Sequence, residues 1–155
     1  MKAFIQRVKS ASVSVDGSVC GCCQNGLLIL LGVGKEDEEA DISLLANKLL
    51  KLRIFRDDEG KMNRSILDID GEALIISQFT LYADYSHGNR PNFIPAADPD
   101  TANRFYEKFC DIMAQSLRHV GRGIFGADMQ VSLINEGPVS ICIDTEVLKK
   151  KGKAQ

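Results

Sequence analysis

Two short stretches carry the residues from which chemistry could be built. Ser77-Gln78-Phe79-Thr80-Leu81 closes an apolar run, Ala73 to Ile76, with two hydroxyls and an amide. Asn135-Glu136-Gly137-Pro138-Val139-Ser140 stands between the apolar runs Met129–Ile134 and Val139–Ile143. Proline has no N–H and a fixed φ, so Gly137-Pro138 reads as a deliberate break between two strands. The chain has only two histidines, His87 and His119, and neither falls in a nucleophile–base pattern. Thr80 is the obvious nucleophilic hydroxyl, but a threonine without a base is weak. Metal-protease and dinucleotide signatures are absent, and the lone Gly32-Val33-Gly34 lacks the rest of a phosphate loop. What remains is chemistry by placement. Backbone N–H groups around Ser77, Gln78 and Phe79 would stabilise a developing oxyanion, which suits an ester that is already activated.

The elements that must hold these residues can be read from periodicity. Strands are expected from Ile5 to Val15, from Val19 to Cys23 and over Leu27–Leu31, with Asp16-Gly17 as a hairpin turn. The unbroken Leu27–Leu31 run suits a strand buried on both faces. Ile42, Leu45, Ala46, Leu49 and Leu52 recur at helical spacing after a cap at Asp37. A short strand is expected around Arg53–Arg56, and a turn at Asp70-Gly71. The run from Ala73 is expected to continue as strand to Tyr82, so that Gln78 and Thr80 share one face and Ser77 and Phe79 the other. Residues 83–97 form a long loop in which Tyr85, Phe93 and Ile94 argue against disorder. Asp98-Pro99 caps a second helix with the stripe Ala102, Phe105, Tyr106, Phe109, Ile112, Met113 and Leu117. Glycines then loosen the backbone around Phe125.

Length and composition bound the rest. The chain has 155 residues, 45% hydrophobic and 26% charged, which predicts one globular domain over residues 1–148 and a basic, flexible tail over 149–155. No apolar run approaches a membrane span and no secretory leader is recognised, so a cytoplasmic setting is expected. The five cysteines are then expected as thiols. Cys20-Gly21-Cys22-Cys23 lacks the second couplet of a zinc site, and no metal or cofactor is expected. A net charge of −2 and a pI near 5.7 argue against a broad basic groove for nucleic acid.

The two stretches together resemble the paired signatures of the D-aminoacyl-tRNA deacylase family, a Ser-Gln-Phe-Thr motif and an Asn-x-Gly-Pro-Val-Thr motif. Further likeness lies in Met62-Asn63-Arg64-Ser65, in Gly88-Asn89-Arg90-Pro91 and in Phe125-Gly126-Ala127-x-Met129. Ser140 and Asn92 depart from the family, which usually has threonine and serine there. The resemblance implies an α+β fold with two packed β-layers, barrel-like, and two main helices on one side. It implies hydrolysis of D-aminoacyl-tRNA, with Ser77, Gln78, Phe79 and Thr80 at the reaction centre. A cis Gly137–Pro138 element is expected to act as a chiral filter, inserted from the opposite subunit of a homodimer. Met62, Asn63, Arg90, Pro91, Phe125, Gly126, Ala127, Met129, Asn135 and Val139 are expected to bind the aminoacylated 3′ end of the tRNA, whose terminal ribose hydroxyl assists. Glycyl-tRNA would pass such a filter, having no side chain to reject. Two rival readings use the same residues. One is a nucleic-acid-binding module acting through Lys48, Lys51, Arg53, Arg56 and the basic tail. The other is a small-ester hydrolase centred on Thr80.

Overall fold

The computed structural model describes residues 1–152 and shows one strongly curled sheet with helices on its outer side. Its spine is β1 (Lys2–Val15), which pairs antiparallel along one edge with β8 (Gln130–Asp144). Its other edge is shared: β3 (Gly26–Gly32) takes the first half and β2 (Ser18–Cys23) the second. The β1–β2 turn is the expected hairpin, with Asp16 and Gly17 both at positive φ. Beyond β3 lie β6 (Glu72–Ser77) and β7 (Val120–Arg122), each parallel to its neighbour. The sheet then folds back on itself. A Cβ on Gly21 would stand 2.4 Å from the Arg122 carbonyl oxygen, and one on Gly121 would stand 2.3 Å from that of Cys22. Only glycine lets β2 and β7 approach this closely, and their contact nearly closes a barrel.

Two apolar clusters follow from the side-chain alternation of the strands. Leu27, Ile29 and Leu31 face outward with Ala3, Ile5, Ala73 and Ile75. On them pack α1 (Glu39–Leu50) through Ile42, Leu45 and Leu49, and α2 (Pro99–Ser116) through Phe105, Tyr106, Phe109 and Met113. Leu28 faces the barrel interior with Val8, Val13, Cys23, Leu74 and Ile76. The unbroken Leu27–Leu31 run is thereby accounted for, since both faces of β3 are covered. Each fully buried leucine here contributes about 1.5–3 kcal/mol. The α+β class, the barrel-like walls facing one another and the two helices on one side agree with expectation.

Several boundaries differ, each for a local reason. The α1 cap is Glu38, paired with Asp41 in a reciprocal box. Asp37 instead accepts from the Gly34 N–H at 2.6 Å and the Tyr82 hydroxyl at 3.0 Å. The two-residue β4 (Phe55–Arg56) and β5 (Met62–Arg64) pair only with each other. β6 stops at Ser77, and Phe79–Tyr82 forms a 3-10 turn, so the alternation expected up to Tyr82 does not hold. Gln78 and Thr80 are neighbours through that turn. The tail from Lys149 is helical in part. α3 (Thr145–Gly152) is pinned by the Lys149 ammonium, 2.9 Å from buried Asp41, whereas residues 153–155 of the expected tail lie outside the described residues. Burial alone would raise the Asp41 carboxyl. The Glu38 N–H and the Lys149 ammonium outweigh it and hold the group below the usual carboxylate range.

Candidate active site

A cleft of about 540 Å³ opens where β6 ends. Ser77, Gln78 and Phe79 form one rim, because the strand stops and the chain turns sharply into the 3-10 segment. The floor is Val33, Ile76, Ala96 and Ala102, and the far wall is Phe125, Gly126, Ala127 and Met129. Phe93, from the long loop, closes one end and meets Phe79 edge to face, with ring centres 5.0 Å apart. The far wall is anchored from behind. The Gly123 N–H donates to the Ile75 carbonyl at 3.0 Å. The buried Tyr106 hydroxyl donates to the same carbonyl at 2.9 Å, with Gly123 O sharing the proton at 3.3 Å. Burial pushes the Tyr106 phenol well above its usual range, so it stays a donor at any physiological pH.

No side chain lining the cleft carries a titratable group. Gln78 Nε2 donates to Thr80 Oγ1, and no carboxylate or imidazole stands in the role of base to that hydroxyl. The thiols of Cys23 and Cys110 are pushed up to about 12 by burial, which makes them inert. His119 stands elsewhere, with Nε2 3.0 Å from the Cys22 carbonyl, and His87 is exposed on the long loop. Among the described residues no cluster of metal-ligating side chains exists. The backbone supplies the polar chemistry. The Gln78 N–H is committed to Leu31 O at 2.8 Å, which removes it from the expected donor set. The next N–H groups, of Phe79 and Thr80, open the 3-10 turn, and the first amides of a helical turn lack partners within it.

The second motif forms a separate construction on β8. Asn135 pairs with Val8 and Ser140 with Gln6, so residues 136–139 bulge out opposite the single residue Arg7. The break expected at Gly137-Pro138 is this bulge within one long edge strand, and the Gly137–Pro138 peptide is cis. The neck is tied by side chains. Asn135 Nδ2 donates to Ser140 Oγ at 2.9 Å, the Val139 N–H donates to Asn135 Oδ1 at 3.0 Å, and Gln6 Nε2 reaches Ser140 Oγ at 3.2 Å. Arg7 supports the loop from below and is only 2% exposed. Its Nε donates to Glu136 O at 3.2 Å and its Nη1 to Ile54 O at 2.6 Å.

The structure therefore brings Ser77, Gln78, Phe79, Phe125, Gly126, Ala127 and Met129 together in one cleft. Thr80 stands exposed beside it. Asn135, Gly137, Pro138 and Val139 gather over Arg7, outside that cleft of the same chain. Met62 and Asn63 lie exposed on β5, where Asn63 O accepts from Arg53 Nε at 2.9 Å. Arg90 and Pro91 lie at the exposed tip of the long loop. Two residues were missed by motif reading. Phe93 had no pattern to mark it. Arg7 had one: a charged residue continuing the buried, helix-facing series Ala3, Ile5.

Comparison with known proteins shows the family and the fold. The family model described as D-Tyr-tRNA(Tyr) deacylase matches residues 4–144. A solved structure described as c-Myc DNA Unwinding Element Binding Protein is 38% identical, with a TM-score of 0.88 over 93% of this chain and 98% of that one. A second, described as a probable eukaryotic D-amino acid tRNA deacylase, shares the fold at 16% identity, with a TM-score of 0.80 over 92% of this chain and 98% of that one. A model match over nearly the whole chain, across both motif-bearing segments, establishes that this protein belongs to the D-Tyr-tRNA(Tyr) deacylase family and hydrolyses the ester bond of D-aminoacyl-tRNA.

Proposed function

We propose that the reaction is run by placement, and that chirality is enforced by rejecting the L form. The observation that carries this reading is the cleft that ends in the Ser77–Phe79 rim and holds no titratable side chain. The terminal adenosine lies against the Phe125–Met129 wall, where an aromatic ring and a thioether beside Gly126 offer a flat platform. Water attacks the ester carbonyl, and the developing oxyanion is met by the N–H groups of Phe79 and Thr80. The bond from the carbonyl carbon to the ribose oxygen breaks. That oxygen takes a proton, leaving free tRNA and a D-amino acid. The neighbouring ribose hydroxyl orients the water, and no cofactor takes part.

The Gly137-Pro138 loop is proposed as the filter, acting in the cleft of a second copy within a homodimer. Two features support this. The loop is built and braced on an exposed edge, yet it does not reach its own chain's cleft. Beside it runs an apolar groove of about 540 Å³ lined by Phe4, Leu81, Ile141, Ile143, Val147 and Leu148, a surface that a second copy would cover. A filter that only rejects serves many D side chains and lets glycyl-tRNA through. The setting is the cytoplasm, where such substrates are made. The test is to incubate the protein with matched D- and L-tyrosyl-tRNA and follow ester loss. Loss of the D ester alone is expected, and equal rates would end the filter reading.

Thr80 is assigned a positioning role. Thr80→Ala is expected to keep activity within about tenfold of wild type, whereas loss of a proton-transfer group costs 10²–10⁴-fold. A folded but inactive variant, with an acyl-enzyme trapped on wild type, would make Thr80 the nucleophile.

A second reading, binding to DNA, is favoured by the description of the 38% identical structure. Lys48, Lys51 and Arg56 are exposed and could meet a phosphate backbone. A salt-dependent gel shift with plain duplex DNA would support it, and deacylation without such a shift would discount it.

A further inference from the structure

The long loop between the 3-10 turn and α2 is built as a rigid finger. At its neck Asp84 and Asn92 exchange backbone hydrogen bonds, Asp84 N to Asn92 O at 2.8 Å and Asn92 N to Asp84 O at 2.9 Å. Side chains double the clasp. Asn92 Nδ2 donates to Asp84 Oδ2 at 3.1 Å, and the Ile94 N–H donates to Asn92 Oδ1 at 3.2 Å. On the other side, the Ser86 N–H and hydroxyl donate to Asp84 Oδ1 at 3.0 and 2.7 Å. Asn92, one of the two departures from the family pattern, is therefore a structural clasp.

What the finger displays is unusual. Tyr85, the residue after the clasp, is 77% exposed, more than any other large apolar side chain among the described residues. His87 and Arg90 follow on the same tip, residues 85–91 contain no acid, and the one neighbouring carboxylate, Asp84, is occupied by its donors. The residue after the clasp on the returning side is Phe93, which closes the catalytic cleft against Phe79. An exposed aromatic with a guanidinium and an imidazole on the same tip, joined through two residues to the place where a terminal nucleoside enters, is a platform for single-stranded nucleic acid.

We propose that Tyr85 stacks on one of the unpaired nucleotides immediately upstream of the terminal adenosine, with His87 and Arg90 facing the adjoining phosphates. The finger thereby sets the affinity for tRNA without touching the ester. This inference rests on the deacylase activity, and it makes a claim about the RNA that the activity alone does not.

The test compares two substrates: D-tyrosyl-tRNA and the D-tyrosyl ester of adenosine, which has no upstream nucleotides. Tyr85→Ala is expected to raise KM for the tRNA about tenfold at unchanged kcat, the size of one lost stack. KM for the adenosine ester is expected to stay where it is, and Tyr85→Trp should restore the tRNA value. In parallel, fluorescence anisotropy with uncharged tRNA should show about tenfold weaker binding to Tyr85→Ala. The binding measurement judges Tyr85 even if wild type turned over neither ester, an outcome that would sink the deacylase reading instead. An unchanged affinity for tRNA would overturn the proposal. So would an equal rise in KM on both substrates, which would mark a disturbed Phe93. A change in oligomeric state at unchanged RNA affinity would also overturn it and assign the finger to a protein contact.

Discussion

Gly137→Ala is expected to lower the preference for D- over L-tyrosyl-tRNA by about 100-fold, the cost of moving a positioning element by roughly 1 Å. Gly137 sits at φ +122°, where a side chain costs about 1–3 kcal/mol. The space is also taken. A Cβ would lie 2.8 Å from Arg7 Nη2 and 3.1 Å from Val139 Cγ2. Arg7 cannot yield, because it is buried and its Nη1 is held by the Ile54 carbonyl. The loop must move instead, and the carbonyls of the proposed filter move with it. Initial rates on both enantiomers, together with a melting curve showing a folded protein, decide the matter. An unchanged D-to-L ratio would remove Gly137 from the selection step.

Arg7→Ala is expected to destabilise the protein by about 3 kcal/mol and to erode selection as well. Removing the guanidinium leaves the Ile54 and Glu136 carbonyls without their donor, at about 1–3 kcal/mol for each one cut off from water. It also opens a hole beneath the loop. In a chain of this size that loss lowers the melting temperature by about 6–12 °C. Arg7→Lys should rescue little, since one ammonium cannot replace a fork that serves two carbonyls in different directions. The check is thermal unfolding beside the D and L assay. A variant that melts like wild type and still rejects the L form would show that the loop holds itself through Asn135 and Ser140.

The sequence spoke most clearly where one local rule governed. Asp16-Gly17, the apolar stripes of α1 and α2, the Asp98-Pro99 cap and the doubly buried run in β3 all follow from side-chain spacing or turn chemistry. It was least legible where the deciding contact is distant. The three-residue β7 has no pattern of its own and exists because Gly121 fits against Cys22. α3 is held in place by a lysine meeting an aspartate 108 positions earlier. The cleft shows the same division. Ser77–Phe79 and Phe125–Met129 were visible as motifs, but the Phe93 lid and the Tyr106 bolt behind the wall depend on tertiary contact. The end of β6 at Ser77 was hidden because Gln78-Phe79-Thr80 suits strand and turn alike.

The pairing of β1 with β8 also sets a timetable for folding. The first strand finds its full-length neighbour only in the segment Gln130–Asp144, which begins 115 positions after β1 ends at Val15. At about 5–20 residues per second of synthesis, that wait is on the order of 5–20 s. Throughout it, one edge of β1 stands unpaired, and an unpaired edge is a template for the wrong chain. Contacts this distant in sequence also slow folding once the chain is complete. Arg7 and Lys9 interrupt that bare edge with charge, so the arginine that later sits beneath the loop also helps guard the nascent strand from its neighbours.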